Sequence, residues 1–542
     1  MMRSRYLRLP VLSGLLAGSL AVASVSAAPA NTSSTIALRT IGRYATGIPF
    51  NGKVGAAEIA AHDPTSQRLF IVNAVGNKLD VLDIRNPASP TKLFAIDLAP
   101  YGQVNSADVH GGVVAAALEN GANKQANGQV VFFTTEGQFL SAVTAGALPD
   151  MVTFTPNGEA VLVANEGEPN DAYTDDPEGS ISIIDVRGGA ASVTQANVRT
   201  VGFADFNTGE PRHGELDPGI RIYGPGATVA KDLEPEYIAV SHNSLTAWVT
   251  LQENNAIATI DIKAGTITKL TPLGFKDHSS QRNGLDASDG DSAIKITPWP
   301  VKGMYQPDAI AAYQALGTGE TFLVTANEGD SREYTGYDEE KRVGKVALDS
   351  NAFPNALTLK ESANLGRLKM TKANGDTDDD GDFDEIYSFG ARSFSIWTST
   401  GELVFDSGDD FEQITATSYP TLFNGNSNSV ENVPDDRSDD KGPEPEGVTT
   451  GRVAGRTYAF IGLERIGGIM VYDVTNPGAP KFVQYLTTRV TDRDFSPEGL
   501  HFISEEESPT GGPLLVVANE VSGSTAIFEI TRRSGYLPQS SQ

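Results

Sequence analysis

Hydrophobic and polar positions alternate along most of the chain with a period of two, and the alternation comes in a phrase that repeats. A turn ending in Pro or Ala plus an acid opens it, as in Leu148-Pro-Asp-Met-Val-Thr-Phe154, and apolar residues then recur at every second position, the period of a β-strand. After another turn, a nearly continuous apolar run ends in a polar residue and Glu, as in Ala160-Val-Leu-Val-Ala-Asn-Glu166. The opening triplet stands at Ala57-Glu-Ile59, Ala107-Asp-Val109, Pro149-Asp-Met151, Pro235-Glu-Tyr237, Pro307-Asp-Ala309, Pro445-Glu-Gly447 and Pro497-Glu-Gly499. The second runs occupy 69–73, 113–118, 160–165, 247–252, 321–327, 458–463 and 514–519. Third runs close most units, at 79–84, 130–134, 180–186, 256–262, 469–474 and 525–530, and helical periodicity is absent.

Fourth strands are expected after six units, at 91–97, 139–144, 197–203, 266–270, 403–406 and 481–486. The seventh unit runs out at Thr531, while segment 35–44 reads as a strand with no unit of its own. Donating that strand to the last unit closes the array and hides an edge. The repeat therefore predicts an all-β fold, a seven-bladed β-propeller over 35–531 whose N-terminal strand completes the final blade. Long insertions fall at about 187–232, 275–305, 329–388 and 407–443, and 532–542 is a tail. Loops of that length carry function or stay disordered.

Composition adds a compartment. Arg3, Arg5 and Arg8, an apolar stretch over 11–23 and Val25-Ser-Ala27 predict a signal peptide over 1–27, and a secreted or periplasmic mature chain. The stretch is too short and too rich in Gly and Ser to stay in a membrane. No twin Arg precedes it, no lipid-accepting Cys follows it, and no apolar tail precedes Gln542, so a free chain without a membrane anchor is expected. With no Cys at all, disulfides are excluded. The formal net charge is −28, three more negative without the leader's Arg residues, a field that repels nucleic acid and attracts divalent cations.

In a propeller the innermost strands all start at one face, so Glu58, Asp108, Asp150, Glu236, Asp308, Glu446 and Glu498 are expected to ring one mouth. Glu119, Glu166, Glu253, Glu328, Glu464 and Glu520 end the second strands, where the first unit has Ala74. The two sets meet only where the turns after the second strands also lean inward. Crowded carboxylates repel, and they are relieved by protonation, separation or cations. Oxygen-only ligands favour Ca2+ over Mg2+ or Mn2+, with Glu236, Glu446, Glu464 and Glu498 as expected metal ligands. A solvated acidic rim is the bland alternative.

A separate calcium loop is expected at Asp376-Thr-Asp378-Asp-Asp380-Gly-Asp382-Phe-Asp384, where alternate carboxylates converge and the Gly allows the turn. Its twelfth position is Tyr387, and no helical pattern flanks it, so it is not an EF-hand. Arg332, Arg392 and Arg465 lie beside acidic turns, able either to clamp a phosphate or to neutralise the acids. The six His residues show no ligand spacing, and no G-x-S-x-G elbow, phosphate-binding loop or dinucleotide fingerprint occurs.

Longer phrases carry a resemblance. Leu148-Pro-Asp-Met-Val-Thr-Phe-Thr-Pro-Asn-Gly158, Val163-Ala-Asn-Glu-Gly-Glu-Pro169, Phe389-Gly-Ala-Arg-Ser-Phe-Ser-Ile-Trp397, Gly442-Pro-Glu-Pro-Glu-Gly447, Gly462-Leu-Glu-Arg-Ile-Gly-Gly-Ile-Met-Val-Tyr-Asp473 and Val517-Ala-Asn-Glu-Val-Ser-Gly523 resemble the choice-of-anchor I family. That family includes animal mesenchyme-specific cell-surface glycoproteins and an atypical bacterial alkaline phosphatase. The resemblance covers nearly all of 35–531 and implies an extracellular propeller.

Two functions are expected from different classes. One is a secreted, Ca2+-dependent phosphomonoesterase acting on a small phosphorylated substrate, with Glu166, Glu328, Arg332, Arg392 and Arg465 as its catalytic residues. The other is a Ca2+-binding extracellular recognition module for a glycan, peptide or matrix partner. A monomer is expected in either case.

Overall fold

The computed structural model describes residues 36–48, 55–426 and 433–533. The signal peptide expected over 1–27, the tail from 534 onward and the start of the first strand at Thr35 lie outside the described residues. The chain is all-β and of β-propeller type, with seven four-stranded antiparallel sheets. Sheet one is Ala60–Asp63, Arg68–Asn73, Lys78–Asp83 and Thr91–Asp97. Sheets two to four begin with Gln103–His110, Pro149–Phe154 and Pro235–Val240, and sheets five to seven with Ile310–Gln314, Pro445–Val453 and Pro497–Ile503. Each runs outward in chain order. Sheet seven is completed by Ile36–Ala45, which pairs antiparallel with Ser524–Arg532.

Both faces of each sheet are buried, which is why the second strands read as unbroken apolar runs. In Arg68–Asn73, Phe70 and Val72 pack against Val104, Val114 and Leu118 of sheet two, while Leu69 and Ile71 pack against Ile503, Leu514 and Val516 of sheet seven. Each such side chain contributes about 1.5–3 kcal/mol when fully buried. Consecutive sheets share cores in this way, and the seventh shares one with the first. Gly499 N also donates to Glu58 O at 3.0 Å, and a Cβ on Gly499 would lie 2.3 Å from that oxygen. One cavity is lined from the first strand of all seven sheets, by Ala60, Ser106, Met151, Ile238, Ile310, Val448 and Leu500 among others.

Three sequence expectations need correction. The first strand of sheet two starts at Gln103, not Ala107. The third strand of sheet five, Ser393–Thr398, pairs with Thr321–Asn327 across the whole insertion that separates them, so local periodicity could not assign it. Helix is present: the last insertion forms Asp410–Ser418, burying Phe411, Glu412 and Thr415. No helix among the described residues is long and apolar enough to cross a membrane.

The insertions fold on a core of their own, in which Leu285, Val301, Val343, Leu348, Leu368 and Met370 are buried. Buried ion pairs fasten the insertion over 187–232 to the one over 329–388. Arg221 pairs with Glu339 at 2.6 Å and Arg332 with Asp232 at 2.6 Å. Both guanidiniums stack on Tyr223, at 4.1 and 4.5 Å from its ring centre.

Candidate functional site: an axial chamber of carboxylates

In four sheets the acid that opens the repeat sits at a local break in strand pairing. Pairing slips by one residue between Pro149 and Met151, Pro235 and Ile238, Pro445 and Val448, and Pro497 and Leu500. In sheet one, Glu58 N and Ile59 O both bond to Val72. Such a bulge re-aims the side chain it carries. The same slip in sheet two falls between Val104 and Ser106, so its occupant is Asn105, whose amide donates to Pro149 O at 3.1 Å. Asp108, expected in the ring, lies three residues further on. Its carboxylate instead accepts from Phe154 N at 2.7 Å and Val109 N at 2.7 Å. The ring is therefore six acids and an asparagine.

The second strands bring the other set to the same place. Register aligns Leu251 with Pro235 as it aligns Asn165 with Pro149, so the counterpart of Glu166 is Gln252, with Glu253 one residue beyond. Gln252 donates to Glu328 Oε2 at 3.0 Å. The two tiers converge: Glu58 and Glu498 from first strands and Glu520 from a second strand offer oxygens within 4.8 Å of one another. The turns after the second strands do lean inward.

Burial, reinforced by neighbouring carboxylates, raises these groups. Glu58 is pushed up to about 8 by burial and then by Glu520 and Asp150, and Glu520 to about 7, chiefly by burial. Burial followed by Asp330 takes Glu253 to about 8, and burial followed by Glu168 takes Asp150 to about 6. Glu166, Glu236, Asp308, Glu446, Glu464 and Glu498 stand well above the usual carboxylate range for the same reasons, although Arg465 opposes the rise at Glu464. Buried Oε2 atoms of Glu253, Glu446, Glu464 and Glu498 accept no hydrogen bond. Buried acceptors of this kind fit hard cations, which replace missing donors and hold the acids ionised.

Sequence reasoning missed Glu444. It is fully buried beside Glu328 and Glu464, the three offering oxygens within 4.8 Å of one another. Arg437 bonds it at 2.6 Å and Arg465 at 2.9 Å, with Lys441 3.5 Å away. Burial would raise Glu444, but Arg465, Arg437 and Lys441 outweigh it and hold the group well below the carboxylate range. A signal existed: two repeats open Glu-Pro-Glu, at 234–236 and 444–446, and in both the extra acid faces arginine, Glu234 lying 2.9 Å from Arg332.

The three expected arginines divide. Arg465 lies among the chamber acids, 2.8 Å from Glu464 and 2.9 Å from Glu444. Arg332 is 1% exposed and directed at Asp232 and Glu234. Arg392 bonds Glu412 at 2.6 Å and the carbonyls of Asp286, Ser438 and Asp440, fastening the helix of the last insertion.

In the aspartate loop, Asp376, Asp378 and Asp384 offer oxygens within 4.8 Å of one another. Asp382 belongs to a second group with Asp384 and Asp349, and Asp380 joins neither, its carboxylate accepting from Asp382 N at 3.1 Å. Gly381 takes a φ of 97°, as the sharp turn requires. Asp349 arrives through a parallel bridge between Leu348 and Phe383, which nothing in the local sequence signals. The flanking segments are the short strands Lys369–Thr371 and Tyr387–Ser388.

A family model described as the choice-of-anchor I domain matches residues 58–477. Gigasin-3a of Magallana gigas is 30% identical over 199 residues, covering 33% of this chain and 70% of that protein. A mesenchyme-specific cell surface glycoprotein of Strongylocentrotus purpuratus is 29% identical over 302 residues, covering 50% of this chain and 38% of its own length. Among solved structures, Kuenenia stuttgartiensis hydrazine synthase is 13% identical with a TM-score of 0.45, covering 91% of this chain and 99% of that one. The WD40 domain of Toxoplasma gondii coronin is 10% identical with a TM-score of 0.45, covering 93% and 88%.

Proposed function

The chain belongs to the choice-of-anchor I domain family, and from that premise we propose a secreted or periplasmic, seven-bladed β-propeller whose axial chamber holds hard divalent cations, Ca2+ first, and hydrolyses phosphomonoesters. The supporting observation is the group of buried carboxylate oxygens, in Glu253, Glu446, Glu464 and Glu498, that meet no donor. Glu236, Glu446, Glu464 and Glu498 hold the cations. A dication bound there supplies Lewis acidity toward a phosphoryl oxygen and toward water. Glu166, raised by burial and by Glu168, takes up a proton at its carboxylate. Glu328 is kept in place by Gln252 and Lys441, and Arg465 steadies negative charge at the chamber wall. Arg332 and Arg392 act through the insertions they fasten. Asp376, Asp378 and Asp384, with Asp380 and Asp382 alongside, hold a further Ca2+ that orders the insertion.

A second reading is a Ca2+-dependent recognition module without turnover. Arg332 and Arg392 favour it, because their terminal guanidinium nitrogens bond protein groups, which leaves Arg465 alone of the three expected arginines beside the chamber acids. A relative named as a cell surface glycoprotein points the same way. Hydrolysis of p-nitrophenyl phosphate by the purified chain, in Ca2+ and in EDTA, separates the two. The hydrolase reading expects turnover that EDTA abolishes, and about a 100-fold loss of kcat/KM in Glu446→Gln with the melting temperature retained. Absent turnover, or turnover indifferent to EDTA, overturns it.

A further inference from the structure

The chamber acids differ in what faces them. Where sheets five and six meet, Lys441 Nζ lies 2.7 Å from Glu328 Oε1, 3.5 Å from Glu444 and 3.7 Å from Asp330, on a side chain only 12% exposed. Glu328, Glu444 and Glu464 are spaced as three ligands of one ion, with oxygens within 4.8 Å of one another. The ammonium reaches them from the end of the insertion between the two sheets. Its position is fixed by Gly442, whose N–H donates to Arg437 O at 2.9 Å and whose φ of 72° suits glycine. A Cβ there would sit 3.0 Å from the Arg392 guanidinium.

Where sheets seven and one meet, Glu58, Glu498 and Glu520 repeat the spacing with a different environment. Among the described residues, no Lys, Arg or His forms an ion pair with any of the three. Buried Oε2 atoms that accept no hydrogen bond belong to Glu498 itself and to Glu446 and Glu464 beside the trio, Glu464 being 3% exposed. A buried carboxylate oxygen that accepts nothing is costly until a cation or proton meets it.

We infer that Lys441 is a tethered ammonium taking the place of a cation between sheets five and six, and that Glu58, Glu498 and Glu520 form the subsite for an exchangeable dication. Lys441 then sets how many ions the chamber takes. A flexible ammonium satisfies two carboxylates without fixing coordination geometry, whereas a dication draws in all three. The inference rests on the cation-binding reading of the chamber and narrows it: Glu498 is the one ligand common to both, Glu464 belongs to the trio where Lys441 takes the place of an ion, and Glu236 and Glu446 stand outside the subsite.

Mn2+ soaked into crystals of the full chain serves as the probe, located by anomalous scattering. The expected result is a peak bounded by Glu58, Glu498 and Glu520, with Lys441 still on Glu328. Lys441→Gln is expected to gain a second peak among Glu328, Glu444 and Glu464, and Lys441→Arg to keep the single one. Titration calorimetry of the same proteins reads one additional Mn2+ for Lys441→Gln. Should that variant not fold, Glu498→Gln provides the test in its place, expected to weaken Mn2+ binding by at least about tenfold. A peak elsewhere in the chamber, displacement of Lys441 by the ion in the wild type, or no additional ion in Lys441→Gln overturns the inference while leaving the cation reading intact. No chamber peak at all overturns both.

Discussion

At Glu444 one fully buried carboxylate meets Arg437, Arg465 and Lys441, whose side chains are 18%, 21% and 12% exposed. Glu444→Gln takes the shared carboxylate from three cations, which keep Asp440, Glu464 and Glu328 respectively, and removing one partner of a buried ion pair costs about 3–5 kcal/mol. Chemical denaturation is expected to find a loss near the low end of that range, because the cations keep some solvent, and no loss would contradict the geometry. The chamber acids act in the opposite sense. Glu58 and Glu253 sit at about 8 and Glu520 at about 7, against about 4.3 for an unfolded Glu. Between about pH 4 and pH 8 the folded chain binds protons that the unfolded chain has released, so stability is greatest at the acid end and falls as pH rises through that window. A dication takes the place of those protons. Melting temperature in EDTA is therefore expected to fall from pH 5 to pH 8, and Ca2+ to restore more at pH 8. At a hundredfold excess over Kd it adds about 2.7 kcal/mol. A flat profile would contradict the raised carboxyls.

Among the elements, Ile36–Ala45 closes sheet seven, with Ile36 and Leu38 buried against Tyr458, Phe460 and Phe528. Deleting residues 1–45 exposes Ser524–Arg532 as a free edge and returns those side chains to water, about 1.5–3 kcal/mol each. The truncated chain is expected to melt earlier and to aggregate, and a peptide spanning 36–45 to reverse both. Unchanged melting would refute the role given to this strand. Its pairing was legible because a strand without a unit and a unit without a strand stood at opposite ends of one sequence. Strands of period two were legible for the same reason, each run being local. Ser393–Thr398 was not, since its partner lies across a long insertion, and neither was the helix Asp410–Ser418, a single short amphipathic stretch amid polar residues.

For the whole molecule, the sequence showed that carboxylates recur at one point of each repeat, and the fold brings most of them together. It misplaced Asp108, three residues past the bulge of its strand, and Glu253, one residue past the position that Glu166 holds, because apolar alternation marks a strand without marking which residue falls at its break. It overlooked Glu444, whose Glu-Pro-Glu phrase occurs in two of the repeats, and Asp349, which reaches its cluster from an insertion with no repeat to align it. The central claim is that acids from separate sheets form one chamber for divalent cations. Equilibrium dialysis with radioactive calcium tests it most directly, comparing the wild type, the chamber variant Glu446→Gln/Glu498→Gln and the loop variant Asp376→Asn/Asp378→Asn after chelator treatment. The expected result is that the chamber variant loses Ca2+ that the loop variant retains. Equal uptake by the wild type and the chamber variant would contradict the account.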